Sequence, residues 1–467
     1  VREITYLIKL GLPNIVAMER SLRVAVVGAG PAGIYAADTL LKAETSCEVD
    51  LFERLPAPFG LVRYGVAPDH PRIKGIVNAL HNVLEKPGVR LFGNVEFGAD
   101  IKLEDLRSFY DAVIFSTGAD ADRALEIPGI ELPGSFGAAD FVSWYDGHPD
   151  VSRGWPLEAE SVAVIGAGNV ALDVARILAK TADELLYTEI PYNVYQGLAA
   201  SKVREVHVFG RRGPAQAKFT PLELRELDHS PNVEVIVDPE DIEFDDGSVA
   251  ELRANRQAEM VTKTLQEWAI REPGDRPNRL YLHFLHAPDE VLGGDRVTGL
   301  RTERMELDGT GNVRGTGRYR EWQVGQVYRA VGYLSAHLPE IPFDHRNGTI
   351  PHERGRVLDM DGQQLRGVYT TGWIKRGPVG LIGHTKGDAL ETITSLLEDR
   401  QGLAPAEEPD PDAVEQFLLA KGCEYTTWDG WHQLDGHERE LGAARGRERI
   451  KVVERAEMVR VSQTLRP

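Results

Sequence analysis

Twice in this chain of 467 residues a short apolar run passes directly into a glycine triplet and then into residues at helical spacing. The first instance is RVAVV at 23–27, GAGPAG at 28–33 and IYAADTLLKA, followed by a second apolar run, VDLFER. The second is SVAVIGAGNVALDVARILAK at 161–180, which resumes as the strand-like VREVHVFGRR. Strand, glycine turn, helix and strand make a β-α-β unit, the building block of a sheet that binds a dinucleotide at its first turn. Two such units constrain the chain to an α/β fold with two Rossmann-like dinucleotide-binding domains. No shorter repeat accompanies this duplication.

Each residue of the first turn has a physical task. Gly28 permits the tight turn, Gly30 lets a pyrophosphate approach the backbone, and Gly33 lets helix and strand pack closely, while the helix N-terminus favours phosphate charge. Glu53 falls 20 residues after Gly33, at the end of the second strand, where a carboxylate accepts hydrogen bonds from a ribose diol. A tight turn with no ligand would need only part of this pattern. Further strands are expected in RLFGNVEFG and in DAVIFSTGA, the latter closing the first domain at Gly118.

The second turn reads Gly166, Gly168 and Ala171, with Asn169 and Val170 opening the helix. Here no acid follows at the ribose position; the next strand ends in Gly210-Arg211-Arg212. A basic pair suits the additional 2′-phosphate of NADP, because guanidinium groups pair with phosphate bidentately. The alternative for such a pair is a solvated surface.

Composition excludes several functions. There are 72 acidic and 53 basic side chains, a formal charge of −19, which argues against nucleic-acid binding. No run approaches the roughly 18 apolar residues of a membrane span. The only cysteines, Cys47 and Cys423, lie 376 positions apart, so the chain has no C-x-x-C redox pair and no cysteine-based metal site; no metal is expected, and a reducing compartment is. Residues 1–20 read as a leader, disordered or non-native, interrupted by Lys9 and Pro13. APAEEPDPD reads as a linker before a polar helical tail.

The most individual stretch is PAPFGLVRYGVAPDHP at 56–71, a rigid proline- and glycine-rich loop directly after the ribose-binding acid. Together with GNVEFG, STGA, FGRRGP, FTPLELREL and GWIKRGPVGLIGHTK it resembles the adrenodoxin reductase family, the NADPH-ferredoxin reductases of mitochondria and many bacteria. The resemblance runs from about residue 22 to the C-terminus. It implies FAD in the first domain, contacted by Ala32, Glu53, Leu61, Phe97, Trp373, Gly380, Leu381 and Ile382, and NADP in the second, contacted by Glu223 and Gly380. It also implies His70 and Glu226 as the polar pair beside the nicotinamide, handling the proton that accompanies flavin reduction. On the residues alone, His70 between two prolines could equally be a turn histidine, Glu226 a surface carboxylate, and Trp373 a packed core ring. The segment 380–382 is expected to open a long helix whose N–H groups face the reduced flavin.

The implied reaction is hydride transfer from NADPH to FAD, then single-electron transfer to a ferredoxin, since flavin bridges two-electron and one-electron carriers. Two alternatives are an electron-input subunit like the small subunit of glutamate synthase, whose cysteine-rich segments this chain lacks, and an NADP-responsive flavoprotein sensor. The expected organisation is of the three-layer ββα/βαβ type: FAD binding by 21–118 and, discontinuously, by 341–467, with NADP binding by 119–340. A cytoplasmic, bacterial, monomeric protein is expected. The partner needs a local basic patch, for which Lys375-Arg376 and the arginines of ELRANRQAEMVTK are the candidates.

Overall fold

A computed structural model describes residues 21–43, 46–70, 74–380 and 382–463. The leader at 1–20 and Leu381 lie outside the described residues. In chain order, the elements that build the site are β1 (Leu22–Val27), α1 (Pro31–Lys42), β2 (Cys47–Glu53), β3 (Val89–Gly93), β4 (Ala112–Phe115) and β5 (Ser135–Gly137). They continue with β6 (Ser161–Ile165), α2 (Asn169–Ala179), β7 (Glu205–Gly210), α3 (Pro221–Glu226), β8 (Val233–Val237), β9 (Asn278–Phe284), β10 (Gln326–Arg329), β11 (Gln364–Thr370) and α4 (Thr385–Asp399).

The first sheet runs β11-β4-β1-β2-β3, extended beyond β11 by two short strands at 352–353 and 356–358. Its five main strands are parallel, with Val24 opposite Val49 on one side and Ala112 on the other. Every residue of β1 is buried, the signature of a parallel strand covered on both faces. Val24 and Val26 join one core with Ile34, Leu40 and Ile393, whereas Ala25 and Val27 join the other with Phe52, Phe92 and Phe115. The two sets alternate because successive side chains of a strand point to opposite faces. β11 arrives some 250 positions after β4 to complete the sheet, so this unit is discontinuous in sequence.

The second sheet, β5-β10-β6-β7-β9-β8, is wholly parallel. In both sheets the strand that carries the glycine turn is flanked by the next strand in sequence on one side and by a much later one on the other. Each turn therefore sits at the carboxyl end of a topological switch point, where open α/β sheets bind ligands.

Local geometry ends or divides several segments. ELRANRQAEMVTKTLQEWA is two helices, Asp246–Ala254 and Arg256–Ala269; Asn255 leaves helical geometry and its side chain caps the second helix. The strand in RLFGNVEFG stops at Gly93, because Asn94 takes a left-handed conformation (φ 58°). Leu285 (φ 57°) likewise divides YLHFLH between β9 and an antiparallel three-stranded sheet spanning 286–322. The segment expected as a linker is fastened down: Ala406 N–H donates to Asp111, and Arg23 donates to the Pro409 carbonyl.

Candidate functional site

The first glycine turn is closed against its own sheet. A Cβ on Gly28 (φ 109°) would lie 2.7 Å from the Ser116 carbonyl oxygen, and one on Gly33 would lie 2.1 Å from the carbonyl of Gly28. Any side chain at either position displaces backbone, so the strand and α1 meet at this distance only with glycine. Gly30, the N-cap of α1, has no side-chain cap, which leaves first-turn N–H groups to bind an anion. Glu53 is buried; it accepts hydrogen bonds from Ala29 N–H (2.9 Å) and Leu55 N–H (3.1 Å). Burial pushes its pKa up, against those two bonds. A carboxylate has acceptor capacity beyond two bonds, so the arrangement fits a ribose diol beside the turn.

The loop at 56–70 follows β2 and Glu53, reaches α2 of the second unit and ends in Asp69-His70, both buried. Arg176 on α2 binds Asp69 with Nε and Nη2, each at 2.8 Å, and Lys180 adds a bond at 2.7 Å. These cations overcome burial and hold the Asp69 carboxyl well below the usual range. His70 Nε2 lies 2.9 Å from Asp173 Oδ1, and its Nδ1 lies 2.7 Å from Glu226 Oε2 on α3. Burial pushes the imidazole pKa down, but the two carboxylates outweigh it, against the opposing charge of Arg176, and it is pushed up to about 9. The structure thus brings His70 against both Asp173 and Glu226, with Arg176 Nη2 also 2.8 Å from its Nε2.

Asp69, Asp173, Arg176 and Lys180 were not singled out from the sequence. The available signal was Asp173 and Arg176 within the apolar ALDVARIL, three apart on one face of α2.

On the second turn, a Cβ at Gly168 would meet nothing within 4 Å, and α2 also begins without a side-chain cap. Asn169 Oδ1 accepts from Thr220 N–H (2.9 Å), fixing the start of α3 beside the turn. Val170 is half-buried. Glu223 is buried, and its Oε2 has no hydrogen-bond partner among the described residues. Burial raises its pKa. An orphaned carboxylate oxygen calls for a donor such as a nucleotide hydroxyl or amide. Arg211 is exposed and Arg212 half-buried at the end of β7, a placement open to a 2′-phosphate.

Behind the first turn, a Cβ on Gly372 (φ 77°) would lie 2.6 Å from Ala32 Cβ, so the returning segment touches the glycine turn. Trp373 and Leu61 are half-buried. Phe97 is buried against Phe115, ring centres 5.0 Å apart, which commits its side chain to the core. Gly380 is exposed, but a 3₁₀ turn, Ile382–His384, separates it from α4, so the long helix starts later than the sequence suggests. Lys375 is no docking group: it is buried and paired with Asp388 (2.9 Å) and Glu391 (2.6 Å). The arginines of ELRANRQ remain exposed.

The pyridine nucleotide-disulphide oxidoreductase family model matches residues 22–208. Both cysteines of this chain are free thiols. "NADPH-ferredoxin reductase FprA" of Mycobacterium tuberculosis is 40% identical over 460 residues, covering 95% of this chain and 99% of that protein. The human mitochondrial NADPH:adrenodoxin oxidoreductase is 38% identical over 461 residues, covering 95% and 92%. A solved structure of Mycobacterium tuberculosis FprA in complex with NADPH superimposes with a TM-score of 0.86 at 38% identity, covering 95% of this chain and all of the other.

Proposed function

Because this chain belongs to the family of NADPH-ferredoxin and NADPH:adrenodoxin reductases, we propose that it draws electrons from NADPH and delivers them singly to an iron–sulfur protein of the ferredoxin type. It is an NADPH-dependent flavin oxidoreductase with FAD and NADP as cofactors. FAD, when bound, supplies the exchange between two-electron and one-electron carriers. The observation that carries the reading is the course of the loop at 56–70. It leaves the ribose-binding Glu53 of one nucleotide unit and ends, at Asp69 and His70, bonded to the helix that opens at the phosphate turn of the other.

In this reading Gly28, Gly30, Gly33, Ala32, Glu53 and Leu61 hold FAD from one side and Trp373 with the 380–382 segment from the other. Phe97 contributes backbone only, its ring being in the core. Gly166, Gly168, Asn169 and Val170 seat the NADP pyrophosphate, Arg211 and Arg212 take the 2′-phosphate, and Glu223 with Gly380 positions the remainder of the nucleotide. His70 holds a proton between Glu226 and Asp173, and the Asp69–Arg176 pair fixes the loop that carries it. The FAD-binding unit comprises 21–118 and 341–467, and the NADP-binding unit 119–340. The partner docks through its acidic surface on a local basic patch. No described helix is long and apolar enough to cross a membrane; a bacterial cytoplasm is our reading, supported by the two free thiols and the bacterial relatives.

The purified protein is expected to show flavin absorption bands that bleach on anaerobic addition of stoichiometric NADPH. A colourless protein that also fails to bind added FAD would overturn the assignment.

A further inference from the structure

Beside the loop that follows Glu53, two helices face one another. Val77–Leu84 carries His81 and, at its C-cap, Glu85; Trp428–Ala443 carries Trp428 and His432. Residues four apart share a helix face, so each helix presents a pair, and the pairs meet. One ligand atom from each of His81, Glu85 and His432 lies within 4.8 Å of the other two. Glu85 Oε1 is 3.6 Å from His81 Nδ1 and 3.2 Å from His432 Nε2. A tetrahedral dication bound at about 2.0–2.1 Å needs ligand atoms about 3.3 Å apart, so two of the three edges are nearly formed.

The surroundings orient these ligands. The Trp428 ring stands edge-on to both imidazoles, with centres 4.5 Å from His81 and 4.8 Å from His432, and Phe59 stacks with His81 at 6.4 Å. The three side chains are 30%, 52% and 40% exposed in the order His81, Glu85, His432, so an ion can enter from solvent.

We propose that His81, Glu85 and His432 form a binding site for a divalent transition-metal ion, Zn²⁺ by ligand type, with water completing its coordination. Two imidazoles and a carboxylate are the donor set of open zinc sites. None of the three belongs to the nucleotide machinery. Their effect is mechanical: Trp428 and Trp431 pack edge-on against Phe59 at 6.4 and 5.4 Å, so an ion bridging the two helices clamps the C-terminal segment onto the loop that follows Glu53.

The test uses the full chain loaded with FAD and freed of metal by chelation, titrated with ZnCl₂ in a calorimeter. One Zn²⁺ per chain with micromolar affinity is expected, together with a higher melting temperature in its presence. His432→Ala, at an exposed position, should weaken that affinity at least about tenfold and remove the thermal shift, and His81→Ala should do the same. NADPH-dependent turnover of metal-free His432→Ala should match that of the metal-free parent. Binding that is unchanged in His432→Ala, or weaker than millimolar in the parent, would overturn the proposal.

Discussion

Replacing Arg211 and Arg212 together by alanine is expected to abolish the preference for NADPH. Each guanidinium bonded to the 2′-phosphate contributes about 1.5–3 kcal/mol as a charge-assisted hydrogen bond. Loss of both lowers kcat/KM for NADPH roughly 10²–10⁴-fold, one decade for about 1.4 kcal/mol. NADH lacks that phosphate, so its kcat/KM should change by less than about threefold, within the range of ordinary surface substitutions. Steady-state kinetics with both nucleotides decides the matter. Equal losses for the two would show that the pair supports β7 or its surroundings and reads no phosphate.

His70→Gln should slow reduction of bound FAD by NADPH about 10²-fold, the lower end of acid–base effects because Glu226 and Asp173 remain in place. Flavin content should stay unchanged, since His70 lies beyond the FAD turn. The sign of the pH effect follows from the raised pKa. Free histidine titrates near 6.5, whereas His70 in the folded chain is pushed up to about 9. The ion pairs of His70 with Asp173 and Glu226 are therefore fully present below about pH 6.5 and are lost as pH rises through about 9. The parent should lose both stability and flavin-reduction rate across that interval, and the glutamine variant should show a flatter profile in each. Stopped-flow absorbance at several pH values measures the rate, and thermal melts measure the stability. A variant with the parent's rate would reduce His70 to a fastener of the loop.

Much of the fold was readable because it depends on local pattern. The glycine triplets at 28–33 and 166–171 sit at strand ends, where backbone sterics allow little else, and the closeness of Gly33 to the Gly28 carbonyl shows why. Pairing across long separation was less accessible. That the far C-terminal part of the chain rejoins the first unit followed from the family resemblance, not from periodicity; its strand β11 was not placed in the sheet, and the burial of Lys375 was missed because its partners Asp388 and Glu391 lie a helix away in sequence. His70 and Glu226 could be named, but not the reason they meet. That reason is the Asp69–Arg176 pair, which joins positions 107 apart and looks in sequence like ordinary surface charge. The strand end in RLFGNVEFG was misjudged because the non-glycine Asn94 turns left-handed, and apolar alternation carries no information about φ.

The most direct test of the central claim is NADPH-driven reduction of cytochrome c by the purified protein, measured with and without an added ferredoxin. The account predicts a rate that rises with ferredoxin concentration to saturation and that depends on bound FAD. A rate that does not change when ferredoxin is added, at any concentration tested, would contradict it.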